Sequence, residues 1–558
     1  MARLSAATRY LILTALVIGC DSRTGVDDSV LSAAEDDSAN WLTYGRTYEE
    51  QRFSPLKQIG EASISRLGLA WSLELNTNRG LEGTPLVHNG ALYTTSAWSV
   101  LHAVDAATGR QLWTYDPKVP KEFARFACCD VVNRGPALYR GRVYAGTLDG
   151  RLIAVDAQTG TLAWEVKTTP DNSAYSITGA PRIAAGNVLI GNGGAEFGVR
   201  GYVSAYDAAD GRLVWRTYTV PGDPAKPFES EAMKRAAATW AGEYWKAGGG
   251  GTAWDAIVYD PALQLVYVGT GNGSPWFQRL RSQGTGDNLY LSSIIALRVD
   301  NGDQVWHYQT TPGDNWDFTA TQPLMLATLE MNGSPKRVIM QAPKNGFFYV
   351  LDRENGKLLS AKNFTNIDWA TGIDANGRPI ESEAARKLTG ATLVAPGPYG
   401  AHNWHPMSFN PNTGLVYFPV IDAKFVYVVD DAWKYDQRKT NVGDALNRYS
   451  GPELAKWFSQ PPTGRLIAWD PVAQKEVWRV EHPLPLSGGT LSTAGNLVFQ
   501  GRADGKLSAY RANDGKVLWE FDTGVGIAAP PITYIAGGKQ YIAVLSGWGG
   551  SAVLLNVP

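Results

Sequence analysis

Ala103–Trp113 reads AVDAATGRQLW, and the same pattern, Ala-x-Asp-x-x-x-Gly-x-x-x-Trp, returns as AVDAQTGTLAW at Ala154–Trp164 and AYDAADGRLVW at Ala205–Trp215. Looser copies run Ala296–Trp306, Val350–Ser360, Ala468–Trp478 and Ala509–Trp519. Each copy has one grammar. A short alternating strand enters, Asp and Gly make a tight turn, and a second strand carries the Trp. Apolar runs bounded by Gly and Asp precede several copies, as in GRVYAGTLDGRLIAV. A spacing of roughly 40–50 residues with about four short strands per unit is the signature of a β-propeller. One such unit cannot bury both faces of its sheet, so neighbours must stack and the ring must close. The expectation is an all-β, eight-bladed propeller, with Trp71 in an eighth unit and terminal strands closing the ring. The repeated Trp residues read as core staples, defining architecture rather than activity.

Composition agrees. Of 558 residues, 60 are Gly, 20 Trp and 25 Tyr, and 19% are charged against a usual ~25%. This apolar, aromatic content excludes a disordered chain. Fifty-one basic residues against 53 acidic, with no basic tract, argue against nucleic-acid binding. Three cysteines cannot staple a chain this long.

The first 19 residues, with Arg3, Arg9 and the apolar run Tyr10–Ile18, read as a signal peptide. Leu16-Val17-Ile18-Gly19-Cys20 resembles a lipobox, which makes Cys20 a candidate lipidation site; the alternative is ordinary cleavage nearby. Residues 20–40 are acidic and Ser-rich and read as a flexible tether, leaving 41–558 as one domain. No later stretch is long and apolar enough to span a bilayer. The expected location is periplasmic or otherwise extracytoplasmic, membrane-attached only through the lipid. Three stretches break the repeat: Pro221–Lys246 and Ser382–Leu388 (within 363–399) have helical character, and Val426–Gly464 carries Trp433, Tyr435, Trp457 and Phe458. Long insertions in a compact domain are usually functional, and these read as loops over one face.

Cys128 and Cys129 are adjacent. Such a pair can close a disulfide ring, stay free, or bind metal, though no other Cys lies in the body to share a metal. Around them runs a series of ordered motifs: RGLEGTPL, ACCDVVNRG, SITGAP, GNGGAEFGVRG, GGGGTAWD, GTGNGSPW, DNWDFTATQ, MQAPKNGFFYVLDR and GAHNWHPM. From Trp41 to Trp548 the chain resembles the quinoprotein alcohol dehydrogenases, which use pyrroloquinoline quinone (PQQ) and calcium.

That resemblance implies roles residue by residue. A Cys128–Cys129 disulfide would lie on one face of the quinone and Trp254 on the other, since a planar group suits an indole surface. Arg134, Thr178, Thr252 and Lys344 would hold its polar rim, with Glu82 and Asn403 as further polar contacts. Gly193, Gly194 and Ala195 would offer backbone amides, and Trp404 and Trp548 would border the cavity. Glu196, Asn272 and Asp317 match the calcium ligands, hard oxygen donors as that ion requires. Asp317 matches the catalytic base that takes the alcohol proton while hydride passes to the quinone, with calcium as Lewis acid. Asp314 lies across Trp316 from that position. Lanthanide-dependent relatives carry an extra Asp where this chain has Thr319, which points to calcium. The sequence holds no Cys-x-x-Cys-His, so the expected electron acceptor is a separate c-type cytochrome. The substrate is an alcohol, whether a small molecule, a polyol or a polymer. The competing reading is a non-enzymatic propeller lipoprotein of the envelope, which would not need the Cys pair, the calcium set or the stacking Trp. A dinucleotide-binding enzyme is excluded, because GNGGAEFG lacks the Gly-x-Gly-x-x-Gly spacing and its strand–helix setting.

Overall fold

The computed structural model describes residues 25–171 and 173–549. The signal peptide and Cys20 lie outside the described residues.

Among the described residues, seven antiparallel blades follow one another along the chain. Blade 1 is built from Leu86–His88, Ala91–Thr95, Leu101–Asp105 and Gln111–Tyr115, and blade 2 from Ala137–Tyr139, Arg142–Gly146, Arg151–Asp156 and Leu162–Lys167. Blade 3 spans Arg182–Tyr218, blade 4 Ile257–Gln309, blade 5 Met325–Asn363 and blade 6 Ser408–His482. Blade 7, Thr490–Asp522, takes Phe53–Ser54 as a fifth, parallel strand beside Thr490–Thr493. The first strands are buried and touch those of neighbouring blades, while the fourth strands are half-exposed. The four strands thus run from the axis outward.

The expected count of eight is corrected to seven. Between blades 7 and 1 the described residues form only a two-stranded hairpin, Ile532–Ala536 with Lys539–Ala543. The segment around Trp71, expected in an eighth unit, forms no ladder. It serves instead as a strap: Trp519 Nε1 donates to Leu67 O (3.1 Å), and Trp71 Nε1 donates to Ala106 O (3.2 Å).

The repeat has a direct physical meaning. Asp105 Oδ1 accepts from the Ala107 and Thr108 amides (3.1 and 3.0 Å), and Asp156 Oδ1 does the same for Gln158 and Thr159. Gly160, at φ 73°, completes such a turn, a conformation that costs an L-residue energy. The Trp113 ring of the previous blade lies against it, so a Cβ there would sit 2.8 Å from the indole. Trp113 Nε1 then donates to Ala157 O at 3.0 Å. Gly211 with Trp164, Gly302 with Trp215 and Gly515 with Trp478 repeat the pair. Asp shapes the turn, Gly leaves room, and Trp locks adjacent blades together.

Part of the stretch expected to be a tether is packed. Asp27 caps a short helix, Asp28–Ser32, and Val26, Leu31 and Ala34 are buried. Tyr139 donates to Asp28 Oδ2 (2.7 Å), and Arg46 donates to the carbonyls of Ala34 and Asp37. Burial of three apolar side chains outweighs the freedom lost. The helical expectations hold at Glu231–Ala237 and Glu383–Lys387. No helix among the described residues is long and apolar enough to cross a membrane.

Candidate active site

Blade geometry decides where chemistry can sit. In an antiparallel four-stranded blade, the connection between strands two and three and the link to the next blade emerge at the same end. The tight Asp–Gly turns emerge at the other. Every candidate site residue described in the structure lies in a connection of the first kind. Cys128, Cys129 and Arg134 lie between blades 1 and 2, Thr178 between 2 and 3, Thr252 and Trp254 between 3 and 4, Asp317 between 4 and 5, and Asn403 and Trp404 between 5 and 6. Gly193 to Glu196, Asn272 and Lys344 lie between strands two and three of blades 3, 4 and 5. Glu82 enters blade 1, and Trp548 follows the hairpin. The insertions emerge at this same end, as expected.

The loop carrying Asp317 is tightly built. Asp314 Oδ1 accepts from the amides of Trp316 and Phe318, both at 3.0 Å. Trp316 and Phe318 are fully buried against Trp369, and Tyr427 donates to Trp316 O at 2.9 Å. Asp317 between them faces the other way, with φ 64°. A non-glycine residue in that region is held there by its surroundings, and such positions cluster at functional sites. Its Oδ2 accepts from Lys344 Nζ at 2.9 Å, and its Oδ1 is buried with no hydrogen-bond partner. Burial pushes the Asp317 pKa up to about 8; Lys344 opposes the shift, and Glu196 and Asp314 add to it. Burial works against the Lys344 charge, but Asp317 beside it prevails and raises the Lys344 pKa. An orphaned carboxylate oxygen in such a field calls for a cation or a proton donor.

Glu196 stands between two left-handed glycines, Gly194 (φ 104°) and Gly198 (φ 77°). A Cβ on Gly194 would lie 2.6 Å from Ala174 O, so only glycine fits. Gly251 N donates to Asn272 O at 2.8 Å, tying the GGGGT run to the Asn272 loop. Thr252 is buried beneath Gly271. Among the described residues no three His, Cys, Asp or Glu side chains converge as a self-sufficient metal site. To enclose a hard cation, Glu196, Asn272 and Asp317 would need further oxygens from a bound ligand.

Across the site, the Arg134 guanidinium lies between two indoles, its Cζ 5.1 Å from the Trp254 ring and 4.9 Å from that of Trp404. It donates to Thr178 Oγ1 (2.8 Å) and pairs with Glu82 Oε2 at 3.0 Å without hydrogen-bond alignment. Burial pushes Glu82 up to about 7 against the pull of Arg134. The Sγ atoms of the neighbouring Cys128 and Cys129 lie 2.7 Å apart. As a thiol, Cys128 is pushed up by its hydrogen bond to Cys129 and then by burial, with Glu196 and Asp317 contributing. Asn403 and Trp548 also have protein partners. Asn403 spends its side chain on Tyr399 O and the Trp404 amide (both 2.8 Å), and Trp548 packs beside Gly526 and on Ile421 and Leu486.

Two further residues stand out in the structure: Arg281, which lies in none of the ordered motifs, and Asp255, the last residue of GGGGTAWD. Arg281 is buried and donates to the carbonyls of Pro275, Trp276 and Asp314 (2.7, 2.5 and 2.8 Å), bracing the Asn272 loop against the Asp317 loop. Asp255, beside Trp254, has both carboxylate oxygens buried without partners, and burial raises it to about 6 against Arg134 and Arg182. The Arg281 contacts join loops remote in sequence, and the burial of Asp255 depends on the packed fold, so only the fold reveals them.

An arginine held between two indoles, glycine-rich loops and buried carboxylates at one end of the propeller fit a cofactor-dependent oxidoreductase. The PQQ family model "Glucose/ethanol/alcohol dehydrogenase, beta-propeller domain" matches residues 41–363 and 378–542. The chain is 56% identical over 542 residues to quinohemoprotein alcohol dehydrogenase ADH IIB of Pseudomonas putida, covering 96% of this chain and 78% of that protein. It is 49% identical over 522 residues to 1-butanol dehydrogenase (cytochrome c) of Thauera butanivorans, covering 91% of this chain and 74% of that protein. The crystal structure of quinohemoprotein alcohol dehydrogenase from Comamonas testosteroni superposes with a TM-score of 0.91 at 52% identity, covering 94% of this chain and 79% of that one. The chain therefore belongs to the PQQ-dependent alcohol dehydrogenases, and its reaction is the oxidation of alcohols.

Proposed function

We propose that this face of the propeller oxidises an alcohol with PQQ and calcium bound, Asp317 acting as base. The carrying observation is the Asp317 carboxylate: one oxygen on Lys344, the other buried and free of donors, on a backbone held left-handed. When bound, PQQ supplies the hydride acceptor and calcium the Lewis acid. Asp317 Oδ1 takes the hydroxyl proton, and Lys344 keeps Oδ2 fixed so that the free oxygen points at the substrate. A bound cation also lowers the pKa that burial has raised and keeps the base ionised. Trp254 and Arg134 orient the planar group, Gly193 and Gly194 let backbone approach it, and the insertions exclude water. Cys128 and Cys129 close as a disulfide over the same site. Calcium rather than a lanthanide fits Thr319, whose hydroxyl is occupied by Thr321 and Gln322 instead of offering a further carboxylate.

Electrons pass to a c-type cytochrome haem outside residues 25–549, a reading supported by the Thauera relative, a 1-butanol dehydrogenase (cytochrome c). The N-terminal sequence supports export to the periplasm, with Cys20 lipidated; a labelled fatty acid that failed to attach at Cys20 would remove the anchor from this reading. Residues 426–464 set substrate choice, because they cover the site with partly exposed Tyr435 and Phe458. The test of the whole is reconstitution with PQQ and Ca2+, Mg2+ or La3+, assayed on an alcohol panel with an artificial electron acceptor. Activity should follow Ca2+ and vanish on chelation. Full activity without Ca2+, or activity with La3+ alone, would contradict the proposal.

A further inference from the structure

The insertion 426–464 does more than roof the cavity, because one short piece of it grips two of the loops that carry the proposed cation ligands. Asn441 is buried, and its backbone N donates to Glu196 O at 2.5 Å. One residue on, Val442 O accepts from Trp276 N (3.0 Å), in the loop that follows Asn272. Gly443, at φ 79°, packs beside Pro275, Phe277 and Leu280; a Cβ there would come within 2.8 Å of Leu280. At the other end of the piece, the Tyr435 ring covers Gly198 so closely that a Cβ on that glycine would lie 2.3 Å from it.

The piece is internally braced. Asn441 Oδ1 accepts from Asp436 N (2.9 Å), while its Nδ2 donates to the carbonyls of Asp436 and Lys439 (3.0 and 2.8 Å). The Asn441 side chain thus closes residues 436–441 into a ring and aims the backbone N at Glu196. Asp444 anchors the exit, accepting from the amides of Val428 (3.0 Å) and Leu446 (2.7 Å). Glu196 needs such a restraint, since its flanking glycines Gly194 and Gly198 give its loop unusual conformational freedom.

We propose that residues 435–443 are a clasp that fixes the Glu196 loop relative to the Asn272 loop, with Asn441 as its positioning residue, and that this clasp sets how tightly the site holds its cation. The inference rests on the calcium reading above. Groups that orient a metal ligand from behind typically change metal affinity by 10–100-fold when removed. The insertion that covers the substrate therefore also controls metal retention, so changes to the substrate roof carry a metal-binding consequence.

The experiment uses PQQ-loaded holoenzyme and follows calcium release to an excess of a fluorescent chelator, alongside the Kd for Ca2+. Asn441→Ala should speed release and weaken affinity by at least about tenfold, with kcat restored by excess Ca2+ and KM for the alcohol unchanged. Tyr435→Ala should shift both in the same direction by a smaller factor. A purely structural role would lower the Tm in saturating Ca2+ and leave release unchanged. Release at the wild-type rate from folded Asn441→Ala overturns the clasp. If that variant does not fold, release at the wild-type rate from Tyr435→Ala overturns it. Glu196→Gln separates the two levels: calcium held as tightly as in wild type would remove the calcium reading itself, and the clasp with it.

Discussion

Single residues in this protein are held by fields that only burial creates. Two histidines show it on the stability side. Burial lowers His102 to about 4, and burial with Arg502 lowers His482 to about 3, both from 6.5. His102 sits between the hydroxyls of Ser96 and Thr114, and His482 between those of Ser487 and Tyr510. The folded state therefore needs them neutral. Their contribution is complete above about pH 6.5, the unfolded value, and is lost as pH falls toward the folded values. Tm should drop between about pH 6.5 and 4, and His482→Gln should flatten that limb; an unchanged limb in a variant lacking both histidines would refute the assignment. The cysteine pair makes a second residue-scale prediction. A peptide holding Cys128 and Cys129 from the exported protein should be lighter by two hydrogens than its reduced form, whereas two alkylatable thiols would contradict the disulfide.

At the scale of elements, the repeat was legible because its three marked residues act locally or on the next copy. Asp and Gly shape one turn, and Trp fills the space that Gly leaves. Gly160 and Gly141 separate the two roles. Both are left-handed, but only Gly160 faces an indole, and Gly141 has nothing within 4 Å. Gly141→Ala should cost about 1–2 kcal/mol from backbone strain alone. Gly160→Ala should cost about 1–3 kcal/mol more through overpacking, and Trp113→Ala about 3–5 kcal/mol. Urea midpoints measure all three; equal losses at the two glycines would reject the docking account. The short helices at 231–237 and 383–387 were also readable from local pattern. The bracing by Arg281 and the ring closed by Asn441 were not, since each joins loops far apart in sequence. Exchanging 426–464 with a relative's loop should move the alcohol preference and, through the clasp, calcium retention as well.

For the whole molecule, the sequence reading erred by one blade. Repeat spacing reports how many units the chain begins, not whether a terminal stretch finds ladder partners. The stretch around Trp71 keeps the docking contact but forms no strand, so the described residues make seven blades and a hairpin between the last and the first. The site was legible because its residues cluster in ordered motifs, and the fold explains why those motifs alternate with repeats. Connections at one end of each blade are free to vary, while those at the other end are bound into the Asp–Gly–Trp lock. Function collects at the free end and stability at the locked end.

The central claim is that Asp317 is the base at that free end. The direct measurement is single-turnover alcohol oxidation by Asp317→Asn loaded with PQQ and Ca2+. Removing a general base should slow the step by about 10²–10⁴-fold, while PQQ still binds one per chain and the Tm stays close to wild type. Turnover at the wild-type rate in that loaded variant would contradict the account.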